Sequence, residues 1–351
     1  MSKALIRSAG ARLERVNASK RFSDGTFHNT AQVGSGLKPG TAFSTMGEYF
    51  TGNDVARKPP GPLPSVNPLA LWERPPETGL RATWLGHSTG LVELDGVRIL
   101  TDPVWGERAS PFSFLGPKRF QPVPVRIDQL PKLDAIIVSH DHYDHLDAPT
   151  IAQLAKLDVP FFTSLGVGVH LEGLGVAPER ITELDRWEAA TIANSEVTLT
   201  AAPSQHFSGR GLKRNTTLWS SFAMRGPKHK VFFSGDTGLT PEYSEIKERL
   251  GPFDLVMLEV GAWHPSWGDI HLGPENALKA LQLIGGGTFL PVHWGTFNLA
   301  LHAWDEPAET LVKLADSSGA HLVMPRLGAG IEPSRAEKVD TWWRGLTPRL
   351  K

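Results

Sequence analysis

The chain has 351 residues, 40% of them hydrophobic and 21% charged, with a formal net charge of -1 and a pI near 6.9. This near-neutral charge gives no basic surface for sequence-independent nucleic-acid binding, so we expect no nucleic-acid partner. Cysteine is absent, which excludes disulfides and thiolate metal ligands. Because no apolar run approaches the roughly 18 residues of a membrane span, and the N-terminus lacks the apolar segment of a secretory signal, we expect a cytoplasmic protein.

The first 80 residues differ in composition from the rest of the chain. Seven prolines fall between residues 59 and 76, and proline is disfavoured in helix interiors and central strands. We therefore predict an extended N-terminal arm, residues 1–80, packed on a core domain that spans residues 81–351. The extreme N-terminus is expected to be frayed and solvated.

From residue 81 onward, apolar segments alternate with segments of helical length. Strands are predicted at 82–86, 90–94 and 97–102, with Asp95-Gly96 as a hairpin turn, and then at 135–139, 197–203, 218–224, 230–235, 254–260 and 288–293. Helices are predicted near 149–157, 241–250, 274–284 and 307–318, with Pro274 suited to a first helical turn. Uninterrupted apolar strands between helices indicate sheet covered on both faces. The pattern predicts one α/β domain with a partly antiparallel sheet.

Residues that commonly bind metals stand at the ends of four of these strands. His140, His206 and Asp236 each follow a predicted strand closely, and His293 ends another. A single histidine of this kind would more simply be a hydrogen-bonded loop residue. Strand ends in α/β sheets converge on one crevice, however, so four together indicate a shared site.

The stretch HDHYDH, which begins at His140, is the most crowded part of this pattern. Such groups repel one another or resist desolvation unless a cation lies among them. His140 and His142 can face one point and Asp144 and His145 a second, so that the strand-end residues complete sites for two metals with open positions for water. Asp141 has three alternatives: a hydrogen bond to a histidine N–H, assistance in proton transfer, or a cap on the following helix.

Seven ligands in this order resemble the metallo-β-lactamase superfamily: His140, His142, Asp144, His145, His206, Asp236 and His293. The resemblance implies a four-layer αβ/βα sandwich with a binuclear site at one edge of its two sheets. It also implies two divalent metal ions, usually zinc and in some members iron or manganese. The assignment is as follows: one ion takes His140, His142 and His206, the other takes Asp144, His145 and His293, and Asp236 bridges both.

Shorter motifs around these ligands narrow the resemblance. They include WLGHST at 84–89, ILTDPVWGERASP at 99–111, GPKRF at 116–120, PSQHF at 203–207, GDTG at 235–238 and HWGTF at 293–297. These motifs are similar to those of the N-acylphosphatidylethanolamine-hydrolysing phospholipase D group, from about residue 81 to 300. In that group His271 matches a further active-site histidine outside the metal shell. The resemblance implies a phosphodiesterase that acts on N-acylphosphatidylethanolamine-like lipids.

The expected chemistry is hydrolysis by a metal-bound hydroxide. Two cations that share a water lower its pKa from 15.7 to about 7, and the hydroxide attacks phosphorus in line. The cations then stabilise charge on the phosphoryl and leaving oxygens. We expect Asp144, Asp236 and His271 to take part in catalysis, with His271 contacting substrate as a proton donor to the phosphoryl oxygen or the leaving group.

Further residues near the ligands are candidates for substrate binding. His87 follows a predicted strand and is expected near the site, with a structural role as the alternative. Trp267 and Phe114, the latter in an aromatic-rich loop, would suit an acyl chain or a membrane interface. Lys118 and Arg119 would either neutralise a phosphate or be ordinary solvated charges.

Two other functions stay open at this point. One is a lactonase or another ester hydrolase of the same fold, which shares much of the ligand set. The other is a non-catalytic lipid-binding module that keeps metals for stability, and the intact set of ligands counts against it. We expect a small-molecule or lipid phosphodiester as substrate, with peripheral membrane contact and a homodimer both left open.

Overall fold

The described part of the N-terminal arm begins with a helix. The computed structural model describes residues 10–31, 33, 38, 40–41, 56–211, 213–337 and 339–346. Helix α1 (Ala11–Ala18) is followed by strands β1 (Phe22–Ser23) and β2 (Thr26–Phe27), and α2 (Leu69–Trp72) lies further along the arm. The frayed terminus that we expected is wrong for residues 11–18, because Arg12 pairs with Glu172 and Glu183 of the core. Residues 1–9 and 42–55 of the predicted arm lie outside the described residues.

The first large sheet contains seven strands. They are β3 (Leu80–Gly86), β4 (Thr89–Leu94), β5 (Val97–Thr101), β6 (Ala135–Val138), β7 (Phe161–Ser164), β8 (Ile181–Leu184) and β16 (Gly330–Ile331). Their order is β16-β3-β4-β5-β6-β7-β8. The sheet is antiparallel from β16 to β5 and parallel from β5 to β8. Helix α3 (Ala148–Leu154) connects β6 to β7, and α4 (Gly168–Gly173) connects β7 to β8.

The second sheet repeats this plan with seven more strands. They are β9 (Ala189–Thr191), β10 (Thr198–Ala202), β11 (Ser221–Arg225), β12 (Lys230–Phe233), β13 (Leu255–Glu259), β14 (Thr288–Val292) and β15 (His321–Leu322). The order is β15-β14-β13-β12-β11-β10-β9, parallel from β15 to β12 and antiparallel beyond. Helices α5 (Glu242–Leu250), α6 (Gly273–Leu283) and α7 (Glu306–Ser318) connect the parallel strands.

The two sheets pack against each other through one continuous apolar core. Trp84 and Ile137 of the first sheet share this core with Phe222 and Val256 of the second. Helices α5 to α7 cover the outer face of the second sheet, and α3 and α4 cover that of the first, where Ile151 packs in a separate core. The result is the predicted four-layer αβ/βα sandwich, in which nearly every central strand residue is buried.

The predicted elements of the core agree closely with the observed ones. Asp95 and Gly96 form the predicted hairpin turn, with positive φ angles of 50° and 89°. The four predicted helices are found within a few residues of their predicted ends. Strands β7, β8 and β9 were missed because they are three or four residues long and carry little periodicity. The division at residue 80 into arm and domain stays a prediction.

Loops from both sheets meet at one edge of the sandwich. Strands β3, β6, β10, β12 and β14 all end there, and each is followed within four residues by a histidine or an aspartate. Gly235 brings two of these loops together, since its φ is 54° and a Cβ would lie 2.7 Å from that of Ser139. None of the helices in the described ranges is long and apolar enough to cross a bilayer.

Candidate metal centre

The first group of converging donor atoms comes from the loops after β6, β10 and β12. His140 Nε2 lies 2.9 Å from His142 Nδ1, which lies 3.2 Å from His206 Nε2. With a carboxylate oxygen of Asp236, these atoms all lie within 4.8 Å of one another. The structure thus brings together three of the predicted histidines and the predicted bridging carboxylate at one point.

The second group lies beside the first and is centred on Asp144. Its Oδ2 is 3.2 Å from His293 Nε2 and 3.5 Å from His145 Nε2, so the three residues of the predicted second set lie together. His87 also belongs to this group, because its Nε2 lies 3.0 Å from the same oxygen. Its side chain is 2% exposed, so the structure places His87 among the donor atoms, in a buried position.

Asp236 lies between the two groups. Its Oδ2 is 3.2 Å from the Nε2 atoms of both His145 and His293, 3.7 Å from His206 Nε2 and 3.9 Å from His140 Nε2. Its other oxygen, Oδ1, is buried and has no hydrogen-bond partner among the described residues. A buried carboxylate with an unpaired oxygen is costly unless a cation or a donor completes it. The position is the one that a bridging metal ligand would occupy.

The charges of the cluster are set by burial and by the neighbouring groups. Burial raises the pKa of Asp236, but His145 and His293 outweigh this effect and hold the pKa well below its usual range. Burial lowers the pKa of His293, whereas Asp236 and Asp144 raise it, with a net pKa of about 10. Burial and neighbouring histidines keep the pKa of His140 well below its ordinary value. Ionised carboxylates and neutral imidazoles are the forms that bind divalent cations, so Asp236 and His140 are already in the binding form, and the donor set fits metal once His293 has lost its proton.

Three of the ring nitrogens that face away from the cluster have hydrogen-bond partners in different parts of the fold, whereas Nδ1 of His87 and of His293 is buried with no such partner among the described residues. Asp102, directly after β5, lies 2.7 Å from His145 Nδ1 and also accepts hydrogen bonds from Ser139, whose hydroxyl is 2.9 Å from His140 Nδ1. His206 Nδ1 lies 2.8 Å from the backbone oxygen of Ile270. Such outer contacts fix the orientation of a metal-binding imidazole. Asp102 was missed, although it stands at a strand end like the predicted ligands.

The N-terminal arm supports one of the candidate ligands directly. The Asn29 side chain donates to the backbone oxygen of His206 and accepts from its backbone N–H, at 2.8 and 3.0 Å. The same amide oxygen accepts from Trp219 Nε1 at 3.0 Å. Asn29 therefore fixes the backbone of a residue that is 177 positions away in the sequence. No local pattern in the arm pointed to this contact.

Two histidines of the cluster adopt strained backbone conformations. His87 and His293 have φ angles of 54° and 63°, a region in which a residue with a Cβ is uncommon. The backbone N–H of His293 donates to the oxygen of His87, and the N–H of His87 donates to the Thr296 hydroxyl. Strain of this kind persists where the surroundings over-determine the backbone, and it concentrates at functional sites.

Asp141 and Tyr143 point away from the donor atoms. Asp141 accepts from the Gly209 N–H at 2.7 Å and from the Thr217 hydroxyl at 3.1 Å, and it lies 3.3 Å from His170. The helix-cap alternative is wrong, because Asp147 caps α3. The Tyr143 hydroxyl donates to a backbone oxygen in the same loop, at residue 210. Both residues therefore fix the loop that follows His206.

His271 lies at the rim of the cluster. Its Nδ1 is 3.1 Å from Glu259 Oε1 and 4.0 Å from Asp236 Oδ2, and its ring lies 5.0 Å from that of His206. Trp267, a predicted substrate contact, has its ring 6.5 Å from the ring of His271. The loop from 260 to 272 thus brings both residues close to the donor groups. Glu259 was not predicted, and its place as the last residue of a buried strand was the available signal.

A hairpin-like loop between β5 and β6 carries Phe114 and the two charges of the GPKRF motif. Phe114 is 78% exposed at the tip of this loop. Lys118 pairs with Glu107 at the surface. Arg119 is buried and donates to the backbone oxygens of residues 104 and 106. It is therefore neither a solvated charge nor a free phosphate ligand, and it holds the base of the loop.

Comparison with known proteins assigns the family. A family model described as a β-lactamase superfamily domain matches residues 97–294. The chain is 41% identical to the uncharacterised protein Rv0906 of Mycobacterium tuberculosis over 337 residues, covering 93% of this chain and 88% of that one. It is 40% identical to N-acyl-phosphatidylethanolamine-hydrolyzing phospholipase D 1 of Caenorhabditis elegans over 253 residues, covering 69% and 71% of the two chains.

Solved structures agree with the fold. The isothiocyanate hydrolase from Delia radicum gut bacteria has a TM-score of 0.57 at 20% identity, over 72% of this chain and 98% of that one. Igni18, a metallo hydrolase from Ignicoccus hospitalis, has a TM-score of 0.56 at 22% identity, over 72% and 97% of the two chains. Together with the convergent histidine and aspartate donors, these similarities show that the chain belongs to the metallo-β-lactamase superfamily of metal-dependent hydrolases.

Proposed function

We propose that this hydrolase is a two-metal phosphodiesterase of the phospholipase D type, acting on N-acylphosphatidylethanolamine-like lipids. The observation that carries the proposal is the pair of adjacent donor groups joined by the Asp236 carboxylate. Two-metal sites of this form catalyse in-line displacement at phosphorus. The similarity to the Caenorhabditis elegans enzyme, over 69% of the chain, favours a lipid diester over other phosphodiesters.

The proposed ligands are those predicted from the sequence, in two sets that share one carboxylate. One set is His140, His142 and His206; the other is Asp144, His145 and His293; Asp236 belongs to both. Zinc is the proposed metal, since imidazole and carboxylate donors without thiolate suit it, with iron or manganese as alternatives. We also propose residues 81–351 as the catalytic domain and residues 1–80 as an arm packed on it.

Two divalent cations, when bound, supply Lewis-acid stabilisation of the phosphoryl oxygens and an acidified water. The chain's own residues position the other participants. Asp102 and Ser139 fix the rings of His145 and His140 through their Nδ1 atoms. His271, whose Nδ1 lies 4.0 Å from Asp236 Oδ2, is the residue proposed to move a proton at the phosphoryl or leaving oxygen, and Trp267, whose ring lies 6.5 Å from that of His271, is a proposed substrate contact.

The exposed loop tip is the proposed site of contact with lipid. Phe112, Phe114 and Leu115 are 51%, 78% and 60% exposed. Backbone hydrogen bonds between residues 107–109 and 117–119 close the loop below them. At its base, Phe120 donates to the backbone oxygen of Thr296, three residues from the proposed ligand His293. Three side chains are too few for a stable protein interface but suit shallow insertion into a membrane surface.

The central test is product analysis with metal-loaded protein and vesicles that contain N-acylphosphatidylethanolamine. We expect phosphatidic acid and N-acylethanolamine, with one 18O atom in the phosphate when the reaction runs in 18O-water, because water attacks phosphorus. Mass spectrometry measures both results. Hydrolysis of lactones without cleavage of any phosphodiester would favour the ester-hydrolase alternative, and a fully metal-loaded protein that turns over neither substrate class would contradict the proposal.

Asp236→Asn should reduce metal content and activity together. The amide lacks the negative charge that lies within 3.2–3.9 Å of ring nitrogens in both donor groups. We expect the loss of metal affinity to exceed the roughly 10–100-fold effect that is typical of outer contacts. Elemental analysis of the purified variant measures its metal content. Asp141→Asn is the matched control, since Asp141 is equally buried but faces Gly209 and Thr217. Full metal occupancy in Asp236→Asn would refute the bridging role.

Metal uptake should release protons at neutral pH. Neighbouring carboxylates raise the pKa of His145 well above its ordinary value and that of His293 to about 10, so both rings are protonated in the metal-free protein at pH 7. A metal ligand must be neutral, so loading should release about two protons per chain. The apparent affinity should fall as pH decreases and rise towards pH 10. An indicator dye in weakly buffered solution measures the release, and its absence would contradict the assigned ligands.

Replacing the loop tip should weaken binding to vesicles. Insertion of each of the three partly exposed side chains, Phe112, Phe114 and Leu115, would contribute about 1 kcal/mol to the free energy of membrane binding. The triple substitution to serine should therefore reduce the partition coefficient roughly 100-fold. Co-sedimentation with phospholipid vesicles measures it. A control with serine at Leu157 and Leu283, which are exposed apolar residues elsewhere, should bind like the wild type. An equal loss in both proteins would rule out a specific role for the tip.

A further inference from the structure

Glu259 is a buried carboxylate at the edge where the donor groups meet. It is the last residue of β13, in the middle of the second sheet, and is 0% exposed. Its Oε1 accepts from the backbone N–H of Leu272 at 2.8 Å and lies 3.1 Å from His271 Nδ1. Its Oε2 is buried and has no hydrogen-bond partner in the described part of the chain. Glu259 is not among the proposed metal ligands.

A carboxylate in this setting is costly for the fold. A buried charge requires compensation, and Glu259 has no lysine or arginine among its recorded ion-pair or hydrogen-bond partners in the described ranges. A neutral side chain would accept the Leu272 N–H without that cost. Such an arrangement persists where the charge or the acceptor serves a function, and among the described residues His271 is the one recorded ion-pair partner of Glu259.

The position of Glu259 couples it to the loop over the candidate metal centre. The chain leaves the sheet at Glu259 and returns to it at His271 and Leu272, so the carboxylate joins both ends of the loop. The middle of the loop is held elsewhere, because Gln205 donates to the Asp269 oxygen at 2.7 Å and His206 Nδ1 lies 2.8 Å from the Ile270 oxygen. His271 alone among these contacts is held by a side-chain acceptor on the sheet.

An imidazole with an acceptor at one nitrogen has a defined tautomer. With Nδ1–H donated to Glu259, the other nitrogen, Nε2, is the one free to exchange a proton with substrate. This is the same logic by which a carboxylate orients the histidine of a Ser-His-Asp triad. The contact of His271 differs from those of His140 and His145. The Nδ1 atoms of these two residues are held by outer partners, so that their Nε2 atoms face the proposed metal sites.

We propose that Glu259 is a positioning residue that holds His271 with a hydrogen on Nδ1, so that Nε2 delivers a proton to the leaving alcohol. This inference rests on the proposed phosphodiesterase function. In the step, the oxygen of a water that has given one proton to solvent forms a bond to phosphorus while the bond from phosphorus to the alcohol oxygen breaks. His271, as the imidazolium, gives its Nε2 proton to that oxygen, which leaves a neutral ring with its Nδ1–H on Glu259. A proton from solvent then restores the ring.

A proton donor matters only when the leaving group is basic. The alkoxide of an N-acylethanolamine requires a proton to depart, whereas p-nitrophenolate is a stable anion. Loss of the Glu259–His271 pair should therefore slow hydrolysis of the lipid diester and affect bis-p-nitrophenyl phosphate much less. A change in overall stability or metal content would instead affect both substrates alike.

Glu259→Met removes the acceptor and keeps a side chain of similar length. We expect kcat for the lipid diester to fall about 10–100-fold, the range for residues that orient a reacting histidine from outside, with bis-p-nitrophenyl phosphate changed less than about threefold. Glu259→Gln keeps an oxygen at the same distance and should restore most of the rate. Glu183→Met is the matched control, since Glu183 is a buried carboxylate that accepts a backbone N–H far from the site. The same leaving-group dependence in Glu183→Met would overturn the proposal.

A double-mutant cycle tests whether Glu259 acts through His271. In a His271→Ala background, Glu259→Met should have no further effect on the lipid diester, because the residue that it orients is gone. Metal content, measured alongside, should stay at the wild-type level in all four proteins. A full additional loss in the double variant would show an independent structural role and overturn the inference.

A spectroscopic measurement separates this inference from the proposed function. In zinc-loaded protein labelled with 15N-histidine, His271 should carry its hydrogen on Nδ1 in the wild type and shift towards Nε2–H in Glu259→Met, with His271→Ala identifying the signal. Unchanged His271 signals in Glu259→Met would overturn the positioning role even if the enzyme cleaves lipid diesters. A shifted tautomer in a protein that cleaves no diester would support the positioning role and refute the proposed substrate.

Discussion

The candidate centre depends on one carboxylate, that of Asp236. A single oxygen of this residue lies between 3.2 and 3.9 Å from four imidazole nitrogens that belong to two donor groups. Without it, each group would be a cluster of histidines with at most one acidic member. With it, negative charge reaches both points, so that the two proposed cation sites share one anionic residue. The glycine before it is required as well, because its backbone packs against Ser139.

Much of this arrangement could be predicted from the sequence because it follows a simple rule of α/β folds. Apolar strands are recognisable by composition, their ends converge, and polar residues placed there meet one another. His140, His206, Asp236 and His293 were found in this way, and the structure brings them to one edge. The strand pattern also predicts an α/β domain with a partly antiparallel sheet, whereas the four-layer sandwich was implied by the resemblance to the metallo-β-lactamase superfamily. The rule fails for β9 and β15, which are too short to carry a pattern.

Sequence reasoning could not find the roles of residues that depend on long-range contacts. It also could not tell towards which partner a side-chain donor atom points. His87 was placed near the site, but its donation towards Asp144 depends on a left-handed backbone that is stabilised by Thr296 and His293. In the sequence, Glu259 looks like an ordinary strand residue. Only the structure shows that the chain returns to it at His271, twelve residues later. In both cases the decisive information is a tertiary hydrogen bond, which neither composition nor periodicity records.

Asn29 links the N-terminal arm to the candidate metal centre across the predicted domain boundary at residue 80. The seven proposed ligands all lie between residues 140 and 293, so a chain shortened to residues 81–351 would retain every atom that is proposed to touch metal. It would lose the amide that grips His206 by both its N–H and its carbonyl oxygen, together with the hydrogen bond from Trp219 to the same amide. The domain defined by the fold, residues 81–351, is therefore smaller than the part of the chain that holds the proposed metal centre in place. In evolutionary terms, the arm and the centre are expected to be inherited together, even though none of the seven proposed ligands lies in the arm.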